Sequence, residues 1–172
     1  IGPNCPGLSV PGSHKLGIIA DSITRPGSIA IVSRSGTLTY EIADALTKRG
    51  LGQRIILGIG GDPIQGSTFV DALEWFEQDA GTERIILVGE IGGTSEQAAA
   101  DYIARSVTKP VYGLVVGHSA PPGQTFGHAG AIATSKPAYW KKRDVTTATT
   151  VDELIAAIAD ELQTPEHDLT HI

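Results

Sequence analysis

The sequence predicts an α/β domain of the doubly wound, flavodoxin-like kind, built on a mostly parallel five-stranded sheet. Short aliphatic runs, too continuous for a sheet with one wet face, alternate with segments of helical periodicity. Almost every run ends in a glycine-bearing loop, where a strand hands over to a helix. The chain has 172 residues, ample for one such domain but short of the roughly 250 that a (β/α)8 barrel needs.

Residues 1–25 hold Gly2, Pro3, Pro6, Gly7, Pro11, Gly12 and Gly17 without a periodic segment, and read as a linker or the tail of a preceding domain. Order is expected from residue 26. Residues 28–32 (Ser-Ile-Ala-Ile-Val) make a first strand, and Ser33-Arg34-Ser35-Gly36-Thr37 breaks it. Leu38, Ile42, Ala45 and Leu46 then form the stripe of a helix over 38–48, stopped by Gly50 and Gly52. The unit recurs: a strand over 54–59, a loop at Gly60-Gly61-Asp62-Pro63, and a helix over 69–78 with Phe69, Leu73 and Phe76 on one face. A strand over 84–88 follows, then a loop over 89–93 and a helix over 95–106 capped at Thr94 or Ser95. Residues 110–116 are a fourth strand. Residues 117–144 lack clear periodicity, 145–148 form a last short strand, and 151–162 an amphipathic helix. The domain is thus expected over 26–163, with a polar, fraying tail over 164–172.

Composition narrows the function. A hydrophobic share of 41% excludes a mainly disordered chain, and no apolar run approaches the ~18 residues of a membrane span. The net charge of −6, without a basic stripe, argues against nucleic acid as a partner. A single cysteine cannot make an internal disulfide and favours a reducing, cytoplasmic compartment. The opening Ile-Gly-Pro-Asn carries neither an initiator Met nor a signal pattern, so the chain reads as a piece of a longer protein.

In a doubly wound sheet, ligands bind beyond the carboxyl ends of the strands. Four glycine-bearing loops fall there, over 33–37, 58–62, 89–93 and 117–130. Glycine removes the Cβ that would keep a ligand off the backbone. The first loop is the phosphate candidate: Ser33, Ser35 and Thr37 offer hydroxyls, Gly36 frees the backbone, and a helix start presents amides and a positive dipole end. The plainer alternative is that Ser35 or Thr37 only caps the helix. An FMN site on the same loop is disfavoured by the few aromatics available to sandwich a flavin.

His14, His167 and His171 lie in irregular or polar segments, whereas His118 and His128 fall in the long segment on the ligand edge. Gly127, Ala129 and Gly130 leave the His128 ring open. Glu90 interrupts an apolar passage at a strand end, and an imidazole from the long segment would be a fitting partner. Glu90 could equally cap the following helix or face water. Nothing near Cys5 marks a reactive thiol, and no Cys/His metal spacing occurs.

Five blocks in order, Gly2-Pro3-Asn4-Cys5-Pro6-Gly7, Ser33-Arg34-Ser35-Gly36-Thr37-Leu38-Thr39-Tyr40-Glu41, Gly58-Ile59-Gly60-Gly61-Asp62-Pro63, Gly89-Glu90-Ile91-Gly92-Gly93 and Gly127-His128-Ala129-Gly130-Ala131-Ile132, resemble the α subunit of succinyl-CoA synthetase, an NDP-forming succinate–CoA ligase. The resemblance covers the second, ligase domain of that subunit and the tail of its CoA-binding domain. It implies the reaction acid + CoA + NTP ⇌ acyl-CoA + NDP + phosphate, through an acyl phosphate and a phosphohistidine at His128. Glu90 would orient the ring, and Ser33, Ser35, Gly36 and Thr37 would hold the phosphoryl group, with Asn4 and Cys5 on the CoA side. A β subunit with an ATP-grasp domain would supply ATP or GTP with Mg²⁺. The substrates would be CoA and a small carboxylic acid, in the cytoplasm or, in a eukaryote, the mitochondrial matrix. Three departures stand against the family pattern: Gln124-Thr125-Phe126 before the histidine block, a shortened segment over 134–143, and the lack of most of the CoA-binding domain. They leave a rival expectation, a non-catalytic or regulatory paralogue that keeps the phosphate scaffold.

Overall fold

A computed structural model describes residues 1–116 and 136–163. The elements are β1 (Gly7–Val10), β2 (His14–Gly17), β3 (Pro26–Ser33), α1 (Gly36–Lys48), β4 (Gln53–Gly58), α2 (Phe69–Gln78), β5 (Arg84–Glu90), α3 (Ser95–Ser106), β6 (Val111–Val116), α4 (Lys136–Lys141), β7 (Val145–Ala148) and α5 (Val151–Gln163). Among the described residues the sheet has seven strands, in the order β2-β1-β4-β3-β5-β6-β7. From β4 to β7 every pairing is parallel, and those five strands, numbered among themselves, run 2-1-3-4-5. That is the flavodoxin-like order, with its switch point between β3 and β5.

Two packed layers follow from strand alternation. Ile29 and Ile31 of β3 and Ile86 and Val88 of β5 point toward Ile42 and Leu46 of α1 and Leu154, Ile155 and Ile158 of α5. Ala30, Val32, Ile85 and Leu87 point the other way, onto Phe69, Leu73 and Phe76 of α2, Ala99, Ala100 and Ile103 of α3, and Trp140 of α4. Local chemistry sets the helix starts. Ser35 caps α1 by accepting from the Leu38 N–H, and Thr68 and Asp71 form a reciprocal capping box at α2. α1 therefore begins at Gly36, two residues before its apolar stripe. Thr94 is the N-cap of α3, but its side chain makes no capping hydrogen bond.

The expected count of five strands is corrected to seven, because the lead-in is not irregular. β1 and β2 form a hairpin, and β1 also pairs antiparallel with β4 through Leu8 and Leu57. Gly7, at φ +101°, makes this possible: a Cβ there would stand 2.0 Å from the Leu16 carbonyl oxygen. Each of these strands has only four residues among prolines and glycines, too few to register a period. A second correction concerns residues 117–144, which contain the helix α4 with Trp140 fully buried. Among the described residues no helix is long and apolar enough to cross a membrane.

Candidate functional site

A cleft of about 490 Å³ opens at the switch point, where the ends of β3 and β5 diverge. Ser35, Gly36 and Thr37 of the α1 start and Glu90 at the end of β5 line it, facing Asn4 and Cys5 from the lead-in. Six of the eight residues singled out from the sequence thus meet in one place. Ser33 is buried beneath the loop; its hydroxyl donates to the Ser35 carbonyl and accepts from the Ser35 N–H, at 2.8 and 3.1 Å. It braces the turn and does not line the cleft. His128 lies outside the described residues, as do His118, His167 and His171.

Helix geometry leaves the first amides of α1 without an intrahelical acceptor. Ser35 Oγ takes the Leu38 N–H, so Gly36 and Thr37 present theirs at the cleft. Among the described residues, a Cβ at Gly36 would meet nothing within 4 Å. Amides and dipole together favour an anion there. The opposite wall depends on the loop after β4. Gly60 has φ +80°, and a Cβ on it would lie 2.1 Å from the Pro3 carbonyl oxygen. Only glycine lets the lead-in lie so close, and Asn4 then donates to Asp62 at 3.1 Å.

Beneath the cleft sits a cluster that the sequence did not announce. Glu96, fully buried in the first turn of α3, accepts from Arg34 Nη1 at 2.9 Å and from the Glu90 N–H at 3.0 Å through the same oxygen. Its other oxygen takes Lys136 Nζ. Lys136 also donates to the Glu90 carbonyl at 2.7 Å and to the Gly92 carbonyl. Arg34 reaches across to the Gly61 carbonyl at 3.1 Å. Burial pushes the Lys136 ammonium below the usual lysine range, and the Glu96 carboxylate opposes that shift. The available signals were weak: an arginine flanked by serines at the ligand edge, and one acid opening an alanine-rich helix.

The chain matches the CoA-ligase family over residues 32–160, three-quarters of its length. It belongs to that family. Among the relatives of this CoA-ligase domain, the succinate–CoA ligase [ADP-forming] subunit alpha of Aquifex aeolicus is 56% identical over 132 residues, which are 77% of this chain and 43% of that protein. Subunit alpha 2 from Archaeoglobus fulgidus is 58% identical, over 77% of this chain and 46% of its own length. The chain therefore spans less than half the length of these relatives. The solved ATP citrate lyase of Methanosaeta concilii, a D541A mutant in complex with (3S)-citryl-CoA, superposes with a TM-score of 0.81 at 26% identity. That likeness covers 94% of this chain and 30% of the lyase chain.

Proposed function

We propose that this chain is the phosphohistidine-bearing domain of the α subunit of an NDP-forming acid–CoA ligase, with succinate as the acid. The observation that carries the reading is the meeting of the α1 start, Ser35 to Thr37, and Glu90 on one cleft, in a CoA-ligase domain similar to named α subunits. In this proposal His128 is the nucleophile toward phosphorus. Its neutral imidazole attacks the terminal phosphorus of the nucleotide and the NDP leaves. The phosphoramidate then gives the phosphoryl group to the acid's carboxylate, and the CoA thiol displaces phosphate from that acyl phosphate. Glu90 holds the second ring nitrogen, fixing the tautomer and balancing the charge that develops on the ring. The amides of Gly36 and Thr37 take the phosphoryl oxygens, assisted by the Thr37 hydroxyl. Asn4 and Cys5, near the start of residues 1–25, the tail of a CoA-binding domain by the resemblance, stand on the CoA side. The partner β subunit, with its ATP-grasp domain, brings nucleotide and Mg²⁺.

The test is phosphoryl labelling of the full-length subunit assembled with its partner, given labelled nucleotide and Mg²⁺. An acid-labile, base-stable adduct is expected on His128, and His128→Asn should abolish both the adduct and acyl-CoA synthesis. Label that persists in His128→Asn would refute the assignment. A wild-type complex that neither labels nor turns over would instead support the regulatory paralogue.

A further inference from the structure

The Arg34–Glu96–Lys136 cluster touches the site through its backbone. Glu90 is the last residue of β5, and both of its peptide groups are held by buried side chains, the N–H by Glu96 and the carbonyl by Lys136. Lys136 has three ammonium donors and meets three acceptors, the carbonyls of Glu90 and Gly92 and the Glu96 carboxylate. The same Glu96 oxygen that holds Glu90 also holds Arg34, whose own N–H binds the Val88 carbonyl at 3.0 Å and whose next residue caps α1. One carboxylate oxygen thus bridges the two loops of the switch point.

We propose that Glu96 and Lys136 are positioning residues for Glu90, forming with Arg34 a buried clamp that fixes the Glu90 carboxylate relative to the α1 amides. The inference rests on the role given to Glu90 above. A buried ion cluster is weak evidence for stability, since apolar residues of similar volume often serve as well. Apolar residues cannot hold the carbonyls of Glu90 and Gly92, and this cluster does. An arginine at 136 would not substitute, because a planar guanidinium cannot direct donors at three acceptors converging on one point.

The experiment compares wild type, Lys136→Met and the isosteric Glu96→Gln in the full-length subunit with its partner. Amide exchange is read at residues 90–92 and in the centres of β3 and β6, alongside His128 phosphorylation and the KM values. In Lys136→Met the amides of 90–92 should exchange at least about 10-fold faster while the sheet centres keep their protection. Phosphorylation should slow by about 10- to 100-fold, the usual loss when a site group loses its supporting partner, with KM unchanged. Glu96→Gln should shift both readouts the same way by less. Unchanged exchange at 90–92, or loss of protection throughout the sheet in both variants, would overturn the clamp and leave only core support. A wild-type complex without adduct would sink the functional reading, and exchange alone would then decide the clamp.

Discussion

Ser35 shows how one residue serves both structure and chemistry. Its hydroxyl closes the first turn of α1, and in doing so leaves the Gly36 and Thr37 amides as the donors at the cleft. Ser35→Ala should lower stability by about 1 kcal/mol in denaturant unfolding, the usual loss on removing an N-cap. Phosphate affinity should fall with it, read as smaller amide shifts at Gly36 and Thr37. Far from the cleft, Asp79 accepts from Arg54 Nε and Nη2 at 2.8 and 3.0 Å and from the Thr82 hydroxyl. The Arg54 guanidinium holds its carboxyl well below the ordinary value of 3.8. A carboxyl depressed by folding contributes stability above its unfolded pKa and loses it as the pH falls through the folded one. Acid unfolding should therefore steepen below about pH 4, and Asp79→Asn should flatten that limb while leaving neutral-pH slopes alone.

At the scale of elements, α4 shows why a six-residue helix can matter. Trp140 is fully buried, donates its indole N–H to the Glu96 carbonyl at 2.8 Å, and lies over Gly113 of β6. A Cβ on Gly113 would stand 2.3 Å from the indole ring, so the glycine is the seat of the tryptophan. Trp140→Ala should cost about 3–5 kcal/mol in unfolding free energy. It should also loosen Lys136 at the head of the helix, seen as faster exchange at Glu90. The sequence announced the long parallel strands and four of the helices, because 10 or more residues carry a period and strands buried on both faces read as unbroken aliphatic runs. It did not announce β1 and β2, four residues each among prolines and glycines, or α4, which is shorter than two helical turns. The same logic divides the site. Ser35, Thr37 and Glu90 stand at strand ends that periodicity locates. Glu96 lies 62 positions from Arg34 and 40 from Lys136, and no local pattern links contacts at such separations.

The whole molecule places the lead-in inside the sheet. β1 covers the β4 edge, and residues 4–6 wall the cleft, so residues 1–25 contribute to the fold as well as to the site. A chain begun at residue 26 should expose the β4 edge, lower the melting temperature by several degrees, and self-associate at concentrations where the 172-residue chain stays monodisperse. Sedimentation of the two chains side by side would check this; equal behaviour would mean that the hairpin is an ornament of the sheet.

The position of Lys136 has a consequence in time. Asn4, Arg34, Ser35, Glu90 and Glu96 all emerge from the ribosome before it, together with every strand through β6. A nascent chain halted short of residue 136 contains the residues of the Arg34–Glu96 pair and of the cleft walls, yet lacks the ammonium that fastens the Glu90 and Gly92 carbonyls. Translation thus delivers the last fastening of this site late, after every residue that it fastens has been made.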